Sequence, residues 1–324
     1  MARSASPLPE AFGSGFSAAQ ARAAGVGARR LSQNDVIRVA SGLYLRDSSG
    51  APEGAAEHQA AAWRRLQLEH ALALGACLRS GLFFSGRTAA VLWELPVPAD
   101  PRPALEVSCF APSRAPRRAG LLAHKVEPHL ARVVEHRGVM VTDPVSTWAM
   151  LAHRLAIPDG IALGDAVIRA PRIPGTARLK RPPLAGLEDL ASAAILRRPG
   201  ADRLRAMIPL LSTQSASAPE THLRLLIRKW GLPEPQLDHD VYDSTGRLLG
   251  CSEIVFPRYR LAMEYEGGHH LTDARQWNRD IDKYSDYAAA GWETLRVTAS
   301  LLYQQRPSLR YRLVEALRRR GWQG

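Results

Sequence analysis

Three glutamates and two histidines crowd into one stretch of the chain, CSEIVFPRYRLAMEYEGGHH, from Cys251 to His270. In its second half Leu261, Met263 and Tyr265 alternate with Ala262, Glu264 and Glu266. On a strand, that alternation puts two carboxylates on one face and the apolar side chains on the other. The preceding run, Gly250 to Phe256, also suits a strand, and Pro257 favours a turn over continued pairing. A turn centred between Arg258 and Tyr259 sets Glu253 opposite Glu264 on the same face of an antiparallel hairpin. Three carboxylates gathered beside His269 and His270 repel one another unless a proton or a cation neutralises them. Hard oxygen donors with room for water suit Mg2+ or Mn2+, which makes Glu253, Glu264 and Glu266 the expected metal ligands. A divalent ion beside a scissile phosphate activates water and stabilises the leaving oxygen. The competing reading is a solvated strand face with unrelated surface glutamates.

The elements that follow have to position this chemistry. Ala274 to Ala290 reads as a helix closed by Gly291, and Gln276 and Asp280, four apart, share one of its faces. Trp292 and the strand-like ETLRVT come next. In this order of elements the chain resembles the Vsr-like branch of the PD-(D/E)XK nuclease superfamily, which includes the very-short-patch-repair endonucleases and a large bacterial domain family of unknown function. The residues that carry the resemblance are the acidic hairpin ending in EYEGGHH, Arg279-Asp280, Gly291-Trp292 and the LRVT of the last strand. It implies a restriction-endonuclease-like mixed sheet flanked by helices and a metal-dependent phosphodiesterase. Glu264 then matches the second acidic metal ligand, and His270, with His269 beside it, matches the histidines that assist the attacking water or the leaving group. Glu220 matches an acidic residue on the first helix, and Gln276 and Asp280 match polar positions on the helix that backs the site. The chain departs from the pattern twice: Glu253 stands where the family usually has an Asp, and Glu266 where the superfamily has a Lys. A carboxylate one methylene longer shifts the metal, and a misplacement of about 1 Å can cost roughly a hundredfold in rate.

The full chain has 324 residues, enough for two or three domains, and 46% of them are hydrophobic. Its formal net charge of +12 favours an anionic partner, nucleic acid before membrane surface. Three cysteines without CxxC spacing argue against a disulfide framework or zinc site and suit a reducing cytoplasm. No apolar run reaches spanning length and the N-terminus lacks a signal-peptide core, so no membrane association is expected. Walker, GxGxxG, GxSxG and HExxH motifs are absent.

The expected class is α/β. Residues 1–13 read as a disordered tail. Residues 14–50 read as a winged-helix-like unit: Ser17 caps a helix ended by Gly25, a second short helix lies around Ala28 to Gln33, and two β-rich runs flank Ser41-Gly42. The phrase GFSAAQARAAGVGARRLSQNDVIRVASGLYL resembles the winged helix of AbiE-type antitoxins, and Arg22, Arg29, Arg30 and Arg38 could meet DNA phosphates. Residues 60–170 read as a small α/β middle region with helices from Ala60 and after Ser85, and strands near Leu105 to Phe110, Leu121 to Lys125 and Arg132 to Val141. That region resembles the extension behind antitoxin-like winged helices, and His124, His129 and His136 in it lack ligand spacing. Residues 171–214 read as linker and helix, with Arg172, Arg178, Lys180 and Arg181 in a Pro-rich stretch. Residues 215–324 form the nuclease-like module. The expected function is a Mg2+-dependent DNA endonuclease. The alternative is a DNA-binding regulator or antitoxin-like protein on a degenerate nuclease fold, and a toxin or repair partner is left open.

Overall fold

The computed structural model describes residues 7–46, 59–75, 77–101, 104–266 and 274–324, with only the backbone course for 274–281. The chain is of mixed α/β class and forms two compact units, Met1–Arg154 with Asp189–Leu204, and Leu155–Glu188 with Arg205–Gly324. None of the described helices is long and apolar enough to cross a membrane.

The first unit begins with β1 (Gly15–Ser17), α1 (Ala18–Ala23), β2 (Val36–Ala40) and β3 (Leu43–Arg46). Ser17 and Gln20 form a full capping box on α1, and Gly25 at φ 72 lets the chain leave it. The three strands make an antiparallel sheet in the order β1-β3-β2. Two expectations are corrected here. The second short helix is a single 3-10 turn, Arg30–Ser32, since Gly25 and Gly27 leave too few residues to nucleate an α-helix. Pro7 to Gly13 is not a free tail: Leu8 and Phe12 are buried, and Phe12, Phe16 and Tyr44 stack with centroids 4.6 and 5.7 Å apart.

The same unit continues with α2 (Gln59–Gly75), β4 (Leu82–Phe84), α3 (Gly86–Leu92), β5 (Leu105–Phe110), β6 (Leu121–Val126), β7 (Val133–His136), β8 (Val139–Thr142) and α4 (Pro144–Leu151). The strands form a five-stranded mixed sheet, β6-β5-β4-β8-β7. The run read as one strand from Arg132 to Val141 is a tight hairpin, because Arg137 (φ 54) and Gly138 (φ 76) reverse the chain. Its histidines have structural partners. His136 stacks on Trp93 at 3.9 Å, and His124 lies 3.6 Å from the buried Glu106 carboxylate. Burial works against the charge, but the neighbouring His124 and the Arg154 guanidinium outweigh it and hold Glu106 down at about 2. α6 (Leu187–Ile195) and the start of α7 (Ala201–Met207) complete this unit.

The second unit holds α5 (Ile157–Ile168), α8 (Ala218–Lys229), β9 (Gln236–Tyr242), β10 (Leu248–Phe256), β11 (Leu261–Glu266), α9 (Ala274–Ala289), β12 (Glu293–Thr298), α10 (Ala299–Tyr303) and α11 (Arg306–Arg319). Its mixed sheet runs β12-β11-β10-β9, with β11 and β12 parallel and the other pairs antiparallel. One core joins Leu223 and Ile227 of α8 and Leu309, Leu313 and Leu317 of α11 to Ile254, Phe256, Leu261, Met263 and Val297 of the sheet. A second, smaller cluster joins Val241, Val255 and Ala262 to Tyr287 of α9. The sheet is therefore sandwiched, with α8 and α11 on one face and α9 on the other.

The seat of α8 is fixed by a buried ion pair. Asp165 of α5, 1% exposed, accepts from the Arg224 guanidinium at 2.9 Å, the Thr221 hydroxyl at 2.7 Å and the Ser212 backbone N–H at 2.7 Å. Burial pushes its carboxyl up, and Arg224 and these donors oppose the shift. Removing one partner of such a pair strands a buried charge. Asp165→Ala is expected to cost about 3–5 kcal/mol in urea unfolding, and the added change Arg224→Met to recover much of that loss.

Candidate active site

A kink shared by two strands places the acidic residues. Ser252 and Ile254 are two apart on β10 and should share a face. Instead the Ser252 hydroxyl bonds Tyr287 of α9 at 3.0 Å, whereas Ile254 packs among the α8 and α11 residues. β9 behaves the same way: Leu237 lies in the α8 cluster and Val241, four residues on, in the α9 cluster. Both strands turn over at one level, at Glu253 and at Asp238. Asp238 has the left-handed φ of 47°, a conformation Asp tolerates better than most side chains. Arg172 staples the kink, bonding the Asp238 carboxylate and carbonyl and the Asp240 carboxylate. This arginine, one of those read as facing phosphate, is engaged within the unit.

On the other side of Glu253 the hairpin pairs Ile254 with Met263, Val255 with Ala262 and Phe256 with Leu261. This is the register of a turn centred between Arg258 and Tyr259, with Arg260 left-handed at φ 45. Regular pairing stops at Ile254, one residue short of the expected Glu253–Glu264 pair. The strands part there, and Glu253 Oε2 takes the free Tyr265 N–H at 2.9 Å.

Three carboxylates and one lysine meet at this parting. Glu264 is 8% exposed and accepts from Lys283 Nζ at 2.7 Å, and the same ammonium donates to the Cys251 carbonyl at 2.9 Å. Glu220 is 3% exposed in the first turn of α8, where the Ala216 N–H donates to Oε2 at 2.8 Å and the Ser217 hydroxyl to Oε1 at 2.9 Å. Burial, followed by the charges of Glu220 and Glu264, raises Glu253 to about 8, while the Tyr265 N–H and Lys283 pull the other way. Burial first, with the Glu264 charge adding to it, also raises Glu220. Carboxylates raised in this way beside Lys283, with Arg169 acting on Glu220, are the kind of place where perturbed titration marks chemistry.

The predicted residues divide accordingly. Glu220, Glu253 and Glu264 come together. Glu266, also expected as a ligand, is drawn aside by Arg296 at 2.5 Å and touched by the Tyr284 hydroxyl at 3.4 Å. His269 and His270 lie outside the described residues, as do the side chains of Gln276 and Asp280, whose helix is in place. Of the arginines near the N-terminus, Arg22, Arg29 and Arg38 are exposed, and Arg30 grips Asp35 through two bonds of 2.8 and 2.6 Å. Sequence reasoning missed Lys283. The signal was there: it continues the stripe of Gln276 and Asp280 by three residues and precedes the buried Tyr287 by four.

Among the described residues no group of three His, Cys, Asp or Glu forms a ready-made metal cage. Magnesium, however, keeps several waters and takes one or two protein carboxylates. Glu253 and Glu264 supply two hard oxygen donors, and a divalent charge there offsets the burial and the repulsion that raise Glu253. The donor set fits such an ion.

No family model matches the chain. It is similar to two uncharacterized proteins of Mycobacterium tuberculosis, MT2308 of strain CDC 1551 / Oshkosh and Rv2248 of strain ATCC 25618 / H37Rv. Each is 26% identical over 201 residues, covering 62% of this chain and 69% of the relative.

The carboxylate cluster leaves a signature in stability. A carboxyl raised from 4.5 to about 8 on folding keeps a proton that the unfolded chain has released. Its contribution is present in full below the lower value and is lost as pH rises through the higher one. In metal-free buffer the thermal midpoint is expected to fall by several degrees between about pH 5 and about pH 9, and Glu253→Gln to remove much of that fall. Lys283→Met strands Glu264 and is expected to lower stability at neutral pH by about 2–4 kcal/mol in the same buffer.

Proposed function

We propose that this protein is a metal-dependent DNA endonuclease that hydrolyses phosphodiester bonds, with Mg2+ or Mn2+ held by Glu253 and Glu264. The observation that carries this reading is the meeting of Glu220, Glu253, Glu264 and Lys283 where β10 and β11 part. When bound, the ion supplies an activated water and positive charge at the leaving oxygen. The chain's own groups do the rest. Glu253 gives up its proton to become a ligand, and Glu264 is aimed by its bond to Lys283. The Lys283 ammonium, fixed by two acceptors, offsets negative charge gathering on the phosphoryl oxygens. Glu220, locked by the cap of α8, shapes the inner wall and adds negative charge that favours a cation. His269 and His270 follow Glu266 directly in the chain and are the proposed proton carriers. Exposed Arg22, Arg29 and Arg38 and the net charge of +12 suit DNA phosphates. Three free cysteines suit the cytoplasm.

A second reading is a DNA-binding regulator or antitoxin-like protein, without catalysis, on the same scaffold.

 Its support is that the cluster is already partly satisfied from within: Lys283 occupies Glu264, both oxygens of Glu220 have donors, and Glu253 stands in the place of a shorter Asp.

The deciding experiment incubates the purified chain with supercoiled plasmid in Mg2+, in Mn2+ and in EDTA. Nicking is expected with either metal and not in EDTA, and Glu264→Ala is expected to slow it by about a hundredfold or more, the scale of losing one well-placed group. An absence of nicking, with DNA binding that weakens steeply as salt rises, would establish the regulator instead. Independently of turnover, Mg2+ is expected to raise the thermal midpoint more at about pH 8 than at about pH 6, because it must displace the Glu253 proton, and to do so less in Glu253→Gln.

A further inference from the structure

At the C-terminal end of α8 the second unit carries a notch of about 420 Å³, bounded by Trp230 to Leu232 on one side and α11 on the other. Its walls combine aromatic rings and guanidinium groups: Trp230, Tyr311 and Trp322 with Arg310 and Arg318. One acidic side chain, Glu315, lines it together with Gly324, and Glu315 lies 3.4 Å from Arg318 in an exposed pair. Such a pair contributes little and yields readily to a stronger anion.

The burial pattern of α11 sets Tyr311 apart. Leu309, Leu313, Ala316 and Leu317 turn into the core, whereas Tyr311 is 68% exposed on the notch side. Trp230 and Trp322 pack partly on that core, which holds their rings in place. Folding alone gives no reason for a large phenol in water beside two anchored indoles and two cations. A planar, apolar group with an adjoining anion would satisfy all of them: the rings offer stacking surfaces and the arginines offer charge. An unpaired nucleobase with its phosphate has that composition, and a bare phosphate or a carboxylate has only half of it.

We propose that this notch seats an unpaired base of single-stranded nucleic acid, stacked on Tyr311 between the indoles, with the flanking phosphate held by Arg310 and Arg318. The inference goes beyond the nuclease reading. It shares with that reading only nucleic acid as the partner and does not depend on cleavage.

The test measures binding by the full chain in EDTA, so that no metal chemistry intervenes. The probe is a fluorescein-labelled oligo-dT of about a dozen nucleotides, within the length a stacking site of this kind covers, set against an abasic strand of the same length and charge. Oligo-dT is expected to bind the wild type more tightly than the abasic strand. Tyr311→Ala, a change at an exposed position, is expected to weaken oligo-dT about 5- to 150-fold, to the level of the abasic strand, while leaving duplex binding unchanged. Arg310→Ala is expected to weaken both single strands alike. Equal affinity of the wild type for oligo-dT and the abasic strand, or an unchanged oligo-dT affinity in Tyr311→Ala, would overturn the proposal. Glu264→Ala is expected to keep its oligo-dT affinity, so that a failure of nicking and a failure of stacking are read separately.

Discussion

The second unit is organised around a single electrostatic difficulty: two buried carboxyl groups and a half-buried one that feel one another's charge, with one ammonium group among them. Glu220 comes from the first turn of α8, Glu253 from the kink of β10 and Glu264 from β11. Each has a backbone or side-chain donor, which lowers the cost of burial without removing the mutual repulsion. Arg169, acting on Glu220, and the raised Glu253 carboxyl ease the repulsion further. An arrangement this costly needs a rigid frame, and the frame is visible in the Asp165–Arg224 pair that seats α8 and in the Arg172 contacts that hold the kink.

Mixed pairing in the sheet follows from the same requirement. β11 lies between an antiparallel neighbour, β10, and a parallel one, β12. Its apolar residues Leu261 and Met263 reach the α8 and α11 layer, and Ala262 leaves room for Tyr287 of α9 on the opposite face. Glu264 then emerges on the α9 side, where Lys283 is at hand. The helix supplies the ammonium that the strand itself lacks, since the strand carries Glu266 two residues on and that side chain is committed to Arg296.

Much of this frame was legible in the residues. Alternation from Leu261 to Glu266, with Pro257 before it, defined the hairpin and its centre, because one face of the strand is apolar and a slip of one residue would bury the charges. Ser17 and Gly25 announced their helix ends through local hydrogen bonding and backbone freedom. What stayed hidden depends on contacts distant in sequence. A lysine in a polar helix stripe looks like a solvated side chain until the helix is docked, and so Lys283 escaped notice. The left-handed Asp238 leaves no mark in a strand-like run such as QLDHDVYD, and the packing of Leu8 and Phe12 becomes visible only once Phe16 and Tyr44 are beside them.

The kink at Asp238 and Glu253 separates shape from chemistry. Its course is set by the backbone of two paired strands, by Arg172 and by the bond from Lys283 to the Cys251 carbonyl, none of which needs Glu264 to be what it is. Exchanging Glu264 therefore changes the charge at this place while the sheet keeps its path. A scaffold of this kind can exchange its charged groups one at a time over generations, with the outline surviving each exchange.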